Sequence, residues 1–134
     1  MSRKKLNAPP RPTDLELAIL SVLWQRGPGT VREILKHFNE SRGAEAGYTT
    51  VLKMLQIMTD KGLAERDDSQ RPQVYRARLS QAETQQQLVG DLLDRAFGGS
   101  ARQLVMQALA SRAASDEDLT EMEHLLDRLE GGGE

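Results

Sequence analysis

A mainly α-helical protein with one small β-hairpin is the fold class the sequence predicts, and three observations predict it. A reciprocal helix-capping signature recurs along the chain, apolar residues follow helical spacing over most of its length, and residues 63–79 instead alternate around a polar turn. In the capping signature a Ser or Thr accepts from the backbone N–H three residues on, where a Glu or Gln reaches back. Each such cap contributes about 1 kcal/mol. Thr13 with Glu16, Thr30 with Glu33, Ser80 with Glu83 and Ser100 with Gln103 all fit, and Ser115 with Asp118 is a weaker version.

The first helix is predicted over residues 14 to about 26, with Leu15, Ile19, Leu20 and Leu23 facing inward and Gly27-Pro28-Gly29 ending it. A second, over 31 to about 39, offers Val31, Ile34, Leu35 and Phe38 at helical spacing, and residues 41–47 form a loop. The third starts at Thr49 or Thr50 and runs to Lys61, where Gly62 suits a left-handed C-terminal cap. Strands at 63–67 and 73–79 flank the turn 68–72 and make a hairpin. Beyond Ser80 only helices are expected, at about 81–97, 101–113 and 116–130, broken at Gly98-Gly99 and Ala114-Ser115. Four parts follow: a flexible basic arm over 1–12, a first domain over 13–80, a helical domain over 81–130 and a tail over 131–134.

Composition narrows the function classes. With 38% hydrophobic and 28% charged residues, the chain is an ordinary globular one, which excludes disorder throughout. Its longest apolar run is the four residues Leu17 to Leu20, too short to span a bilayer, and its start leads into no secretory segment, so a cytoplasmic location is expected. The absence of cysteine removes thiolate zinc sites, iron–sulfur clusters and cysteine nucleophiles, and His37 and His124 are too far apart for a helix-spaced metal pair. No local nucleophile motif is present, and the carboxylates of 116–123 read as a solvated helix face, so no cofactor, metal or enzymatic activity is expected. The formal net charge of −2 hides an asymmetry: residues 1–80 hold 14 Lys and Arg against 9 Asp and Glu, whereas residues 81–134 hold 4 against 11. Only the first part is suited to a polyanion.

Three helices followed by a hairpin is the order of a winged helix-turn-helix, whose third helix enters the DNA major groove while the hairpin reaches the neighbouring backbone. On a helical wheel Val51, Met54, Leu55 and Met58 share one side, and Thr49, Lys53, Gln56 and Asp60 lie opposite. Lys53 and Gln56 are the candidates for base edges, and Thr49 and Thr50 for phosphate or a thymine methyl. Arg71 at the hairpin tip, with Arg66 and Arg76 on its strands, is suited to backbone phosphate, and Tyr48 is either a packing staple or a further contact. Trp24 and Phe38 fall at core positions, and His37 on an exposed one. In the acidic half, Leu119, Met122, Leu126 and Leu129 form a heptad-like seam, and Leu92, Phe97, Leu104, Val105 and Leu109 supply the other apolar stripes. Helices this small barely form a core alone, so pairing with a second copy is expected, the alternative being that they fold back on the first domain.

The stretch Thr49-Thr-Val-Leu-Lys-Met-Leu-Gln-Ile-Met-Thr-Asp-Lys-Gly-Leu63, followed by Arg71 and Tyr75 and then by Phe97-Gly-Gly-Ser100 and Leu104-Val105, resembles the penicillinase and methicillin-resistance repressor family, which also includes copper-responsive repressors. The resemblance covers roughly residues 10–130 and implies a homodimeric winged-helix repressor with interlocking C-terminal helices, bound to inverted repeats of a TACA/TGTA type. It also implies a membrane-bound sensor metallopeptidase in the β-lactam branch, with cleavage at an Asn-Phe pair just after the Leu-Val. Here that register holds Gln107-Ala108. The cysteine cluster of the copper branch has no counterpart, Ile57 stands where the family commonly has Arg, and Gln70 replaces the Gly before the hairpin Arg. The alternative from another class is a winged-helix scaffold for protein interaction, supported by Leu52 and Ile57 read as exposed. Architectural DNA binding without sequence preference is a third.

Overall fold

The computed structural model describes residues 10–112 and 115–132, and the side chains of the last helix to Arg128. Residues 1–9 of the expected arm, residues 133–134 of the tail and the Leu129 side chain lie outside the described residues. The described residues form six helices and two strands: α1 (Asp14–Arg26), α2 (Val31–Arg42), α3 (Tyr48–Lys61), β1 (Ala64–Asp67), β2 (Val74–Ala77), α4 (Gln81–Ala96), α5 (Ala101–Ser111) and α6 (Asp116–Gly132). Contacts divide the chain within α4, into a unit ending at Val89 and a unit starting at Gly90.

The caps form where the sequence places them. Thr13 and Thr30 each make the full box, with Glu16 N–H and Glu33 N–H donating to their hydroxyls and the two carboxylates accepting from the cap backbones. Ser80 with Glu83 and Ser115 with Asp118 bond in both directions, and Ser100 accepts from Gln103 N–H at 3.1 Å. Two helices run on past the ends that the sequence predicts. α2 continues past residue 39 because the left-handed cap falls at Gly43, whose φ is 61°. α6 takes in Gly131 and Gly132, expected in the tail; glycine costs a helix about 1 kcal/mol yet keeps its backbone donor.

In the first unit α1, α2, α3 and the hairpin enclose one core, with Ile34, Leu55 and Met58 at 0% exposure. Phe38 is in it and Trp24 packs against it, the indole N–H donating to Leu79 carbonyl at 3.0 Å. Leu15, expected inward, is exposed, and Glu16 is buried at 2% instead. The reason is chemical: one Glu16 oxygen closes the Thr13 cap, and the other takes Lys61 Nζ at 2.7 Å, at the end of α3. Buried carboxylates persist only when so bonded.

The hairpin is antiparallel, with Ala64 opposite Ala77, Glu65 opposite Arg76, Arg66 opposite Tyr75 and Asp67 opposite Val74. Its other edge is tied to the α1–α2 turn, where Gly29 N–H donates to Tyr75 carbonyl at 3.0 Å and Tyr75 N–H to Gly29 carbonyl at 2.8 Å. A Cβ added at Gly29 would meet the far end of the Arg26 side chain at 2.0 Å, so the guanidinium would have to swing aside. In the second unit the described side chains of α5 bury nothing, and Leu92, Val105, Met106, Leu109, Leu119, Met122, Leu125 and Leu126 are exposed, with Phe97 and Leu104 half-buried.

Burial raises the Glu16 pKa, but the bonds from Lys61 and from Thr13 outweigh it and hold the carboxyl below its ordinary value of 4.5. A depressed acid stabilises fully above its unfolded pKa and loses that contribution as pH falls through the folded one. Replacing Lys61 with Met leaves that buried carboxylate uncompensated and lowers the unfolding free energy by about 1–3 kcal/mol at pH 7. Urea denaturation of both proteins from pH 7 to pH 3 checks this: the gap should shrink once Glu16 is protonated, and a gap independent of pH would refute the assignment.

Candidate nucleic-acid interface

The exposed face of α3 is set by what holds the helix on its other sides. Val51, Leu55 and Met58 enter the core, while Thr49, Thr50, Lys53, Gln56 and Asp60 are exposed. The entry to the helix is pinned by Asn39, whose amide accepts from Ala46 N–H at 2.9 Å and donates to Ala46 carbonyl at 3.1 Å. Its exit is fixed by Gly62, left-handed at φ 83°, whose N–H donates to Met58 and Thr59 carbonyls. The N-terminus begins at Gly47 with no side-chain cap and no acidic residue in the first turn. Four backbone N–H groups therefore stand open at the positive end of the helix dipole, an arrangement that favours an anion.

The hairpin arginines expected to act together do not share one face. Directly paired residues project from the same side and neighbours alternate, so Arg66, opposite the buried Tyr75, and Arg76, opposite Glu65, project from opposite faces. Both are already bonded to carboxylates, Arg66 Nε to Asp68 at 2.7 Å and Arg76 Nε to Glu65 at 3.0 Å. Arg71, in the turn, donates only to the Asp68 carbonyl, at 3.3 Å. Tyr48 is exposed, with the Arg32 guanidinium over its ring at 5.0 Å from the centroid. A groove of about 320 Å³ runs between the α2 and α3 N-termini and the hairpin turn, with Arg32, Tyr48, Leu52, Arg71 and Gln73 on its walls.

Two residues that position the site escaped the sequence reading. Asn39 figures in the sequence only as the end of a helix, and Arg32 carries no local signal; only its folded contact with Tyr48 distinguishes it. Leu52 and Ile57, read as exposed, are half-buried, and Leu52 packs against the core because it lies one helical turn from Tyr48 and beside Val51. His37, read as exposed, is likewise half-buried, its Nε2 lying 3.4 Å from Gln25 Oε1. Gln107 and Ala108 are exposed within α5. Among the described residues no group of three His, Cys, Asp or Glu side chains is placed to hold a metal ion, and no helix is long and apolar enough to cross a membrane.

Three helices closed by a hairpin wing, with a polar face on the third, define a winged helix-turn-helix, here followed by a helical domain. The chain matches the model of the penicillinase repressor family over residues 12–128 and belongs to that family. The resemblance carried by residues 49–63 and 97–105 is thereby borne out. Members of the family are DNA-binding transcriptional repressors, in general not enzymes, and this chain is accordingly a DNA-binding regulator of transcription. No curated protein matches it.

The turn of the wing is organised by Asp67, whose carboxylate accepts from the Ser69 hydroxyl, the Gln70 amide and Ser69 N–H. These bonds, the Ser69 hydroxyl first, lower its pKa from 3.8 to about 2. The stabilisation they give is therefore complete above pH 3.8 and lost only as the pH falls through about 2. An NMR titration of the Asp67 carboxyl should place its midpoint well below the ordinary value; a midpoint near 3.8 would mean that the turn is not so bonded in solution.

Proposed function

We propose that the protein is a homodimeric, sequence-specific repressor that sets α3 of each copy in the major groove of one half of an inverted-repeat operator. The observation that carries this reading is the exposed face of α3, with Thr49, Thr50, Lys53 and Gln56 beside an N-terminus open to an anion. Lys53 and Gln56 read base edges, Gln56 having the donor and acceptor needed to pair bidentately with adenine. Thr49, Thr50 and the groove beside Tyr48 meet backbone, and Arg71 holds phosphate at the wing, with Arg66 and Arg76 contributing after their carboxylates are displaced. The proposed location is the cytoplasm, which a DNA-binding regulator with no membrane-crossing helix among the described residues supports.

The apolar residues of the second unit support pairing with a second copy, since Leu92, Val105, Leu109, Leu119, Met122 and Leu126 otherwise face water. Phe97, Leu104 and Leu129 belong to the same proposed surface, and residues 81–130 form the dimerisation domain. Two linked half-site contacts gain an effective concentration that one lacks. Relief by a membrane-bound sensor metallopeptidase fits the same logic: cutting between Gln107 and Ala108 would divide α5 and remove Leu109, Leu119, Met122 and Leu126 from the DNA-binding unit.

Fluorescence anisotropy against the DNA upstream of its own gene and a scrambled duplex, at two salt concentrations, tests the reading. Tight binding that favours the upstream DNA and weakens with salt is expected. Equal binding to both would replace it with architectural binding, and binding to neither would favour a protein-interaction scaffold. In the full chain, Leu126→Asp should give a monomer by analytical ultracentrifugation and lower operator affinity by about 100-fold. Retention of both the dimer and the affinity would overturn the proposed dimer surface.

A further inference from the structure

Which cations are free to meet phosphate is decided by what already holds them. Arg66 and Arg76 are paired with Asp68 and Glu65, so a phosphate at either competes with a carboxylate already bonded there. Arg32 is different. It lies in the first turn of α2, exposed, and its recorded contact is the face of the Tyr48 ring, with no carboxylate partner among the described residues. A guanidinium centred over a ring keeps N–H donors available to an acceptor, since the ring contact is not a hydrogen bond, while it loses part of the side chain's rotational freedom. Arg71 stands on another wall of the same groove, bonded only to a neutral carbonyl and so retaining its full charge. The first turn of α3 closes that groove with Tyr48 and Leu52.

Resting on the docking proposed above, we infer that Arg32, held by Tyr48, is a phosphate-binding residue. It grips the DNA strand that passes between the N-terminus of α3 and the wing, opposite Arg71. Tyr48 is then a positioning residue, acting through the guanidinium stacked on it. The contact is to phosphate alone, so it adds affinity without sequence preference.

The test compares the full-length protein with Arg32→Gln and Lys36→Gln, each lacking one positive charge on α2, by anisotropy on the upstream and scrambled duplexes over a range of salt. Arg32→Gln should weaken both duplexes by about tenfold, keep their ratio, and flatten the slope of log K against log salt by about 0.9 for each protomer engaged. Lys36→Gln should match the unsubstituted protein, and Tyr48→Ala should lose affinity in the same salt-dependent way as Arg32→Gln. If Arg32→Gln behaves as Lys36→Gln does, the assignment is wrong while the docking stands. A loss of affinity with an unchanged salt slope and a lowered melting temperature also overturns it, by making the role structural. If the unsubstituted protein shows no salt-dependent binding, the docking itself fails and the assignment with it.

Discussion

The pairing of Glu16 with Lys61 joins the start of the first helix to the end of the third, and the placement of α3 and the wing depends on it. A capping glutamate normally spends itself on its own helix. Here one oxygen does so, and the second reaches across the core to the last residue of α3. Directly beyond lies Gly62, where the chain turns left-handed and Leu63 N–H donates to the Met58 carbonyl at 2.8 Å, sending the backbone straight into the hairpin. The angle of α3 and the departure of the wing are thus fixed at one point. The Gly29–Tyr75 ladder holds the wing at a second, and together they define the walls of the groove that Arg32 and Arg71 occupy.

The two units have opposite solutions to burial. In the first, α1, α2, α3 and the hairpin cover one another, so that unit carries its own core and presents polar groups outward. In the second, α5 buries no side chain and α6 exposes leucines at helical spacing. Under the proposed reading the first unit gives one half-site contact, which is weak alone, and pairing of the second unit with another copy supplies the second. Under the proposed dimer the shortage of core in the second unit is what makes DNA binding conditional on assembly.

Local chemistry was legible in the sequence, and distant pairing was not. The caps at Thr13, Thr30, Ser80, Ser100 and Ser115 involve residues three apart, so spacing alone exposes them, and the core face of α3 follows from helical period. Leu15 and Glu16 were exchanged because the burial of a carboxylate depends on a lysine far along the chain, which no local period records. That the wing arginines project from opposite faces was hidden for a different reason: the face of a strand residue is set by register, and Arg66 and Arg76 differ in parity relative to Tyr75. Arg32 looked like any solvated charge on α2 because its significance lies in a ring supplied by the next helix.

How a chain with a net charge of −2 attracts DNA follows from these placements. At physiological ionic strength charges farther apart than about 8 Å are largely screened, so the total matters less than what lies within that distance of a phosphate. The wing is close to self-neutralised, since Glu65 and Asp68 hold two of its arginines and Asp67 stays ionised down to about pH 2. Under the proposed docking the attraction therefore rests on Lys53, Arg71, Arg32 and the open N-terminal turn of α3, which have no carboxylate bonded to them among the described residues. A surface that is neutral at its edges and positive at one helix end does more than bind. Under the proposed docking it also orients, because a duplex lying over the wing strands meets carboxylates already bonded to their own arginines.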